Sequence, residues 1–201
     1  MSQLTDFEGC IRGGGVALFP ADTLYGLACD PSNETAIARI HALKGRDDGK
    51  PSAVMFFAPL EMREVLSMSG PRTREVIGAL LPGPVTLVVA NPRGLYPGAC
   101  REDRDRLGIR LIEGPLSGAR VAIFQTSANR SGEAARHRLE DVDEVLREGV
   151  DLVVDGGEVG GEPSTVVDVT RIEEGEWAVL REGALSRPEL ERALREAGTP
   201  G

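Results

Sequence analysis

At 201 residues, with 41% hydrophobic and 27% charged side chains, the chain is long enough to bury a substantial core as one domain, which excludes a low-complexity or disordered segment. A net charge of -9 argues against broad attachment to nucleic acid, which depends on neutralising phosphates with Lys and Arg. The longest apolar runs, 85–90 and 121–124, fall far short of the roughly 20 residues of a membrane-spanning helix, and the polar start MSQLTDFEGC lacks a signal-peptide pattern, so a cytoplasmic protein without membrane association is expected.

The first predicted strand covers 16–19, after the glycine run 13–15. Asn33 is placed to cap a helix through about Leu43, because Ala36, Ile37, Ile40 and Leu43 share one face at helical spacing. After a polar segment, 53–57 reads as a buried strand, followed by helical patterns at 60–66 and 72–81, the second stopped by the PGP at 82–84. Further strands are expected at 85–90, 107–110, 121–125, 152–154, 165–169 and 178–181, with helices at 139–147 and 188–197, the latter starting near Ser186. Strands alternating irregularly with helices predict an α/β or α+β domain built on a sheet of mixed strand direction. No internal repeat or composition shift marks a second domain.

Lys44 and Lys50 are the chain's only lysines, and with Arg46 they place three cations in the segment KGRDDGKP, 44–51. A loop of this kind can wrap a polyphosphate, combining point charges with a planar guanidinium. It can equally be a solvated loop neutralised by Asp47 and Asp48. TSANRSG, 126–132, follows an apolar strand, so Ser127, Asn129 and Ser131 emerge at a strand end, where open α/β sheets place ligands. The same residue types also simply make turns. Arg110 and Arg181 end apolar runs and can each fork onto a carboxylate or phosphate, or pair with surface acids. FPADTLYGLACDP, 19–31, offers Thr23 and Tyr25 as pocket-lining groups, although Tyr25 can instead be core; DGGEVGGEPSTVVDV, 155–169, brings Ser164 and Thr165 to a strand entry.

The P-loop, the dinucleotide fingerprint and the G-x-S-x-G elbow are all absent. Cys10, Cys29 and Cys100 are odd in number and widely spaced, so free thiols are expected. His41 and His137 have no partner at ligand spacing, so no protein metal site is expected.

Taken in order, FPADTLYGL, KGRDDGKP, LLPGPVTLVV, RLGIR, TSANRSG, PSTVVDV and LREG resemble the threonylcarbamoyl-AMP synthase family, the YrdC-like proteins, over residues 13–183. The chain is similar to the single-domain members: one YrdC-like domain over 1–201, with its core at 13–183 and a C-terminal helix at 188–197. The resemblance implies an α/β fold with a twisted mixed sheet, flanking helices and a deep, positively lined cavity. It implies an L-threonylcarbamoyladenylate synthase, a nucleotidyltransferase. That enzyme converts L-threonine, bicarbonate or CO2, and ATP into threonylcarbamoyl-AMP and pyrophosphate, with magnesium held mainly by the phosphates. A downstream transferase complex would pass the product to tRNA, giving threonylcarbamoyladenosine (t6A), with weak tRNA binding by the synthase itself an option.

By position, Lys44, Arg46, Lys50, Ser127, Asn129 and Arg181 would hold the ATP, with Arg46 and Lys50 carrying the catalytic charge stabilisation. Thr23, Tyr25, Arg110, Gln125 through its backbone, and Ser164 would surround the threonine, Arg110 taking its carboxylate. The sequence departs from the family pattern at Ala21, where threonine is usual, at Met55, where many relatives have histidine, and at Asp47, where proline is common. The interval from Arg110 to Ser127 is shorter than usual, and LIEGP lacks the proline that commonly follows the arginine. Two other readings stand beside the synthase. One is an RNA-binding or ribosome-maturation protein, against which the net charge counts; the other is a carbamoyl-transfer module, whose usual zinc-finger and acylphosphatase segments are missing.

Overall fold

The computed structural model describes residues 3–45, 51–130 and 133–198. Arg46, Asp47, Asp48, Gly49, Lys50, Ser131 and Gly132 therefore lie outside the described residues. Helix α1, Gln3–Arg12, puts Phe7 and Ile11 one turn apart on its buried face. Strand β1, Ala17–Pro20, turns back through residues 21–24 into β2, Tyr25–Cys29, and the two pair antiparallel. Helix α2, Glu34–Leu43, starts where expected, with the Asn33 side chain accepting the Ala36 N–H at 3.0 Å.

Strand β3, Val54–Phe56, leads into helices α3, Arg63–Met68, and α4, Pro71–Leu80, then strand β4, Val85–Ala90. The short helix α5, Pro97–Cys100, precedes β5, Arg106–Leu111, and β6, Ile123–Ser127. The expected helix over 139–147 is instead a 3-10 turn, Leu139–Asp141, followed by α6, Glu144–Glu148. The break has a local cause. Val142 is extended, and Asp143 caps a new helix by accepting the Val145 N–H at 2.8 Å, a competition with the backbone that interrupts a continuous helix. Strands β7, Leu152–Val153, β8, Thr165–Asp168, and β9, Ala178–Arg181, complete the sheet, and α7, Arg187–Glu196, starts in a capping box between Ser186 and Glu189.

Among the described residues the strands form one mixed sheet in the order β7-β1-β2-β6-β3-β5-β4-β8-β9. Three neighbouring pairs, β1 with β7, β3 with β5 and β4 with β8, are parallel; the others are antiparallel.

Because strand side chains alternate between faces, the sheet separates two apolar layers. One face carries the larger core, including Leu18, Leu27, Val54, Leu87, Ile109, Phe124 and Val167, covered by residues of α2, α4 and α7. The other carries Ala17, Phe19, Ala28, Met55, Ile112 and Ile123, which pack with Phe7 and Ile11 of α1. The rings of Phe7, Phe19 and Phe57 meet there at centroid separations of 5.5 to 6.1 Å. This second layer stops partway across the sheet. Two residues along from Ile112, Ile123 and Met55, the same face presents Arg110, Gln125 and Ala53, and further along the sheet Thr86, Val88 and Val166. Small and polar side chains there leave the face open.

Candidate functional site

The open stretch is a cavity of about 680 Å³, within the size range of sites for small ligands. Its floor is the sheet: Thr86 and Val88 of β4, Arg106, Gly108 and Arg110 of β5, Gln125 to Ser127 of β6, and Val166 of β8. A side chain at Gly108 would project from this floor, its Cβ already 3.4 Å from the Ala53 backbone. Loops close the sides, through Thr23 and Leu24 between β1 and β2, Asn129, Glu133 and Ala135 beyond β6, and Pro163 and Ser164 before β8.

The sequence-predicted residues Thr23, Arg110, Gln125, Ser127, Asn129, Ser164 and Arg181 all line this cavity. Each arrives for an identifiable local reason. Arg110 alternates with the core residues Ile109 and Leu111, so the period that buries those two turns its guanidinium to the opposite face. The Gln125 side chain lies over Gly26 of β2, where an added Cβ would come within 2.6 Å of Nε2. Arg181 donates from Nη2 to the Ser164 carbonyl at 2.8 Å, and the Ser164 hydroxyl sits 2.8 Å from Thr86 Oγ1. Gly183 permits this closure, because a Cβ there would lie 2.2 Å from the Pro163 carbonyl oxygen.

Arginines set the electrostatics. Arg110 is nearly inaccessible, with its side chain 6% exposed, and its Nη2 donates to both Asp22 oxygens at 2.8 and 2.6 Å. Burial pushes its pKa down; Asp22 opposes that through charge and hydrogen bonding, and nearby Arg181 adds to the lowering. Burial also pushes Arg181 down. Arg106 pairs with Asp168 at 2.5 Å, and Asp103 and Glu133 are carboxylates on the cavity wall. The wall thus carries both signs, with arginines on the β5 and β9 side. Such fixed guanidinium groups can take carboxylate and phosphate oxygens, and the hydroxyls of Thr23, Thr86, Ser127 and Ser164 add neutral hydrogen-bonding groups.

Two expectations change. Tyr25 does not line the cavity: it is fully buried in the larger core, and its hydroxyl donates to the Gly157 carbonyl at 2.8 Å with Asp155 Oδ1 at 3.1 Å. The physical reason is the turn at 21–24, closed by the Ala21 N–H on the Leu24 carbonyl, which ends the two-residue alternation between Thr23 and Tyr25. Lys44 is also buried, at 2% exposure, and its ammonium donates to the Ser127 carbonyl and to Thr126 Oγ1 at 3.2 Å. It braces residues of the cavity wall and is not itself a lining side chain. Arg46 and Lys50 lie outside the described residues. Sequence reasoning did not single out Asp22, Thr86 or Arg106; a threonine interrupting the apolar run VTLVVA at a sheet-facing position was the available signal for Thr86. Among the described residues, no group of three or more His, Cys, Asp or Glu is arranged to hold a metal ion.

Residues 9–183 match the Sua5, YciO and YrdC family model, which is described as telomere recombination. The chain belongs to this Sua5/YciO/YrdC family. Within it, a threonylcarbamoyl-AMP synthase of Pyrococcus abyssi (strain GE5 / Orsay) is 34% identical over 200 residues, covering 94% of this chain and 56% of that protein. A threonylcarbamoyl-AMP synthase of Mus musculus is 33% identical over 187 residues, covering 86% of this chain and 64% of that protein. The chain thus spans little more than half of the first relative's length and less than two thirds of the second's. The crystal structure of P. abyssi Sua5 complexed with L-threonine superposes with a TM-score of 0.80 at 26% identity, covering 94% of this chain and 56% of that one. The mixed α/β sheet with flanking helices is the fold of this Sua5/YciO/YrdC structure.

Proposed function

We propose that this Sua5/YciO/YrdC chain, as a single domain, is an L-threonylcarbamoyladenylate synthase. It would act in the cytoplasm and supply a tRNA-modifying transferase complex with threonylcarbamoyl-AMP for t6A synthesis. The observation that carries the reading is the convergence of Thr23, Arg110, Gln125, Ser127, Asn129, Ser164 and Arg181 on one cavity from segments far apart in the chain. It is supported by the names of relatives above 30% identity and by the L-threonine held by the P. abyssi Sua5 structure.

In this mechanism the threonine carboxylate rests on Arg110, and Thr23, Ser164 and the Gln125 backbone surround the rest of the amino acid. The ammonium gives up one proton to water, the resulting amine attacks CO2, and loss of a second proton from nitrogen to water leaves the carbamate. A carbamate oxygen then attacks the α-phosphorus of ATP, the bond to the β-phosphate oxygen breaks, and pyrophosphate departs. No side-chain nucleophile is required. The protein positions two anions and stabilises the charge that builds on the leaving phosphates, which is the task of Arg46 and Lys50 with Arg181, Ser127 and Asn129. Lys44 contributes by holding Thr126 and Ser127 in place. Magnesium enters as part of the ATP substrate, carried mainly by phosphate oxygens.

The test is incubation of the folded protein with ATP, magnesium, bicarbonate and L-threonine, followed by assay of pyrophosphate and threonylcarbamoyl-AMP. Threonine-dependent formation of both is expected; folded protein that yields neither overturns the proposal.

A further inference from the structure

Arg106 has no role assigned so far, although it lines the cavity. It shares the floor with Gly108 and Arg110, because alternate residues of β5 face the cavity while Leu107, Ile109 and Leu111 enter the core. Its guanidinium is only partly engaged. Nη2 donates to Asp168 Oδ2 at 2.5 Å, Nη1 reaches Asp103 at 3.4 Å, and Nε is buried without a hydrogen-bond partner among the described residues. Asp168 is fixed independently, since its Oδ1 accepts the Thr170 N–H at 2.9 Å and the Thr170 hydroxyl at 2.7 Å. The aspartate thus braces one corner of the guanidinium, and the side chain, 36% exposed, keeps an Nη1 N–H for an anion in the cavity.

Four residues of strand at about 3.3 Å each put Arg106 and Arg110 roughly 13 Å apart along the floor. Gly108 lies between them, so the middle of the floor carries no side chain; a Cβ there would stand 3.4 Å from the Ala53 Cα. An adenylate-forming step uses such an arrangement. The attacking carbamate oxygen and the departing pyrophosphate oxygen lie on opposite sides of the α-phosphorus. With the threonine carboxylate on Arg110 and the α-phosphate over Gly108, the pyrophosphate leaves toward Arg106. The same end receives Pro51, the last residue of the segment that carries Arg46 and Lys50. The parallel register of Val54 with Ile109 counts back to residues 51 and 106 at one level, and both line the cavity.

From this geometry we propose that Arg106 is a further catalytic residue, whose guanidinium, braced by Asp168, takes the charge that develops on the departing pyrophosphate. The inference rests on the synthase reading of this cavity and adds a cation on the leaving-group side. As the bond from the α-phosphorus to the bridging oxygen breaks, its electron pair stays with the pyrophosphate. A guanidinium already fixed at that end stabilises the transition state more than the bound ATP, which is the condition for raising kcat. Asp103 opposes this only weakly, because it is 44% exposed and water screens its charge.

The test compares the full wild-type chain with Arg106→Ala, Arg106→Lys and a double variant, Arg106→Gln with Asp168→Asn, in which the ion pair is removed whole and no carboxylate is stranded. Thermal melting establishes that each is folded. Calorimetric titration with magnesium pyrophosphate and, separately, with AMP, which lacks the leaving phosphates, is paired with steady-state adenylate synthesis. Arg106→Ala and the double variant are expected to bind pyrophosphate about tenfold more weakly and AMP as the wild type does. Their kcat should fall about a hundredfold with KM for threonine unchanged. Arg106→Lys keeps a point charge without the fork and is expected to recover part of both losses. An arginine that only supports the fold would leave pyrophosphate binding unchanged, or weaken pyrophosphate and AMP by the same factor. Either result in folded variants overturns the inference while the synthase reading stands. Wild-type protein that forms no threonine-dependent adenylate overturns both.

Discussion

The buried Arg110–Asp22 pair makes a prediction about stability that separates structural cost from functional loss. Arg110→Gln removes the positive charge and leaves Asp22, about four fifths buried, without its counter-ion. At close contact and an effective dielectric near 20, the lost attraction is about 4 kcal/mol. Rehydration of the exposed part of Asp22 and a hydrogen bond from the new amide return some of it, so a net loss of about 3 kcal/mol is expected, near the low end for breaking a buried pair. For a chain of this length that corresponds to a fall in Tm of roughly 6–12 °C. Adding Asp22→Asn removes the stranded anion, and the double variant should lie only about 1 kcal/mol below wild type, because a pair removed whole is far less costly than a pair broken. Urea titrations of the wild type, both single variants and the double variant give the coupling energy directly. Adenylate synthesis follows a different pattern: it is lost in both variants that lack Arg110, however stable they are. A double variant as unstable as the sum of its single variants would refute the account, since it would mean that the two charges do not compensate each other.

Other expectations follow from the same structure. Thr86→Val removes one side of the 2.8 Å hydroxyl contact that steadies Ser164 beside Arg181; loss of one such bond, about 1 kcal/mol, should lower kcat/KM for threonine roughly fivefold with the fold retained by circular dichroism. Lys50→Ala and Arg46→Ala should each reduce adenylate formation by about a hundredfold or more in a steady-state assay, the scale of removing a group that stabilises transition-state charge, while melting curves stay near wild type. Cys29 is fully buried, and burial with a smaller contribution from Asp30 holds its thiol pKa up at about 12, so it should resist thiol reagents at pH 8 until urea unfolds the chain. Glu173 caps α4 from across the chain, accepting the Thr73 N–H at 2.9 Å and the Thr73 hydroxyl at 2.8 Å. Burial acts to raise its pKa, but these bonds, with the Arg72 N–H, hold it below the ordinary value. A carboxylate with a folded-state pKa below its unfolded one stabilises above the unfolded value and loses that stabilisation as pH falls through the folded one. Glu173→Gln should therefore cost about 1 kcal/mol at pH 7, and the cost should shrink progressively as pH falls below the ordinary carboxylate range, measured by urea titration across that series.

How far the sequence discloses this molecule depends on the range of the interaction that fixes each feature. Local rules locate the start of α2 at Asn33, the capping box at Ser186 and the strand 85–90, because caps and period-two alternation act within a few residues. The seven cavity residues were legible through the order of short segments that resemble one family, and the fold gathers them on one face. The features that escaped are settled by distant partners. Helix α1 is read from Phe7 and Ile11 only once Phe19 and Phe57 stand opposite them. Lys44 looked like a free cation in a polar loop, yet its stem is buried and its ammonium ends on Thr126 and Ser127, more than eighty residues away. Tyr25 and Asp22 are the sharper case, since they sit three residues apart in the same quoted motif and go to opposite fates. The tyrosine hydroxyl is satisfied by Asp155 and Gly157 inside the larger core, whereas the aspartate pairs with Arg110 of β5. A motif read as one functional unit is thus two structural decisions made on either side of one tight turn: the tyrosine completes the core, and the aspartate neutralises an arginine of the cavity wall.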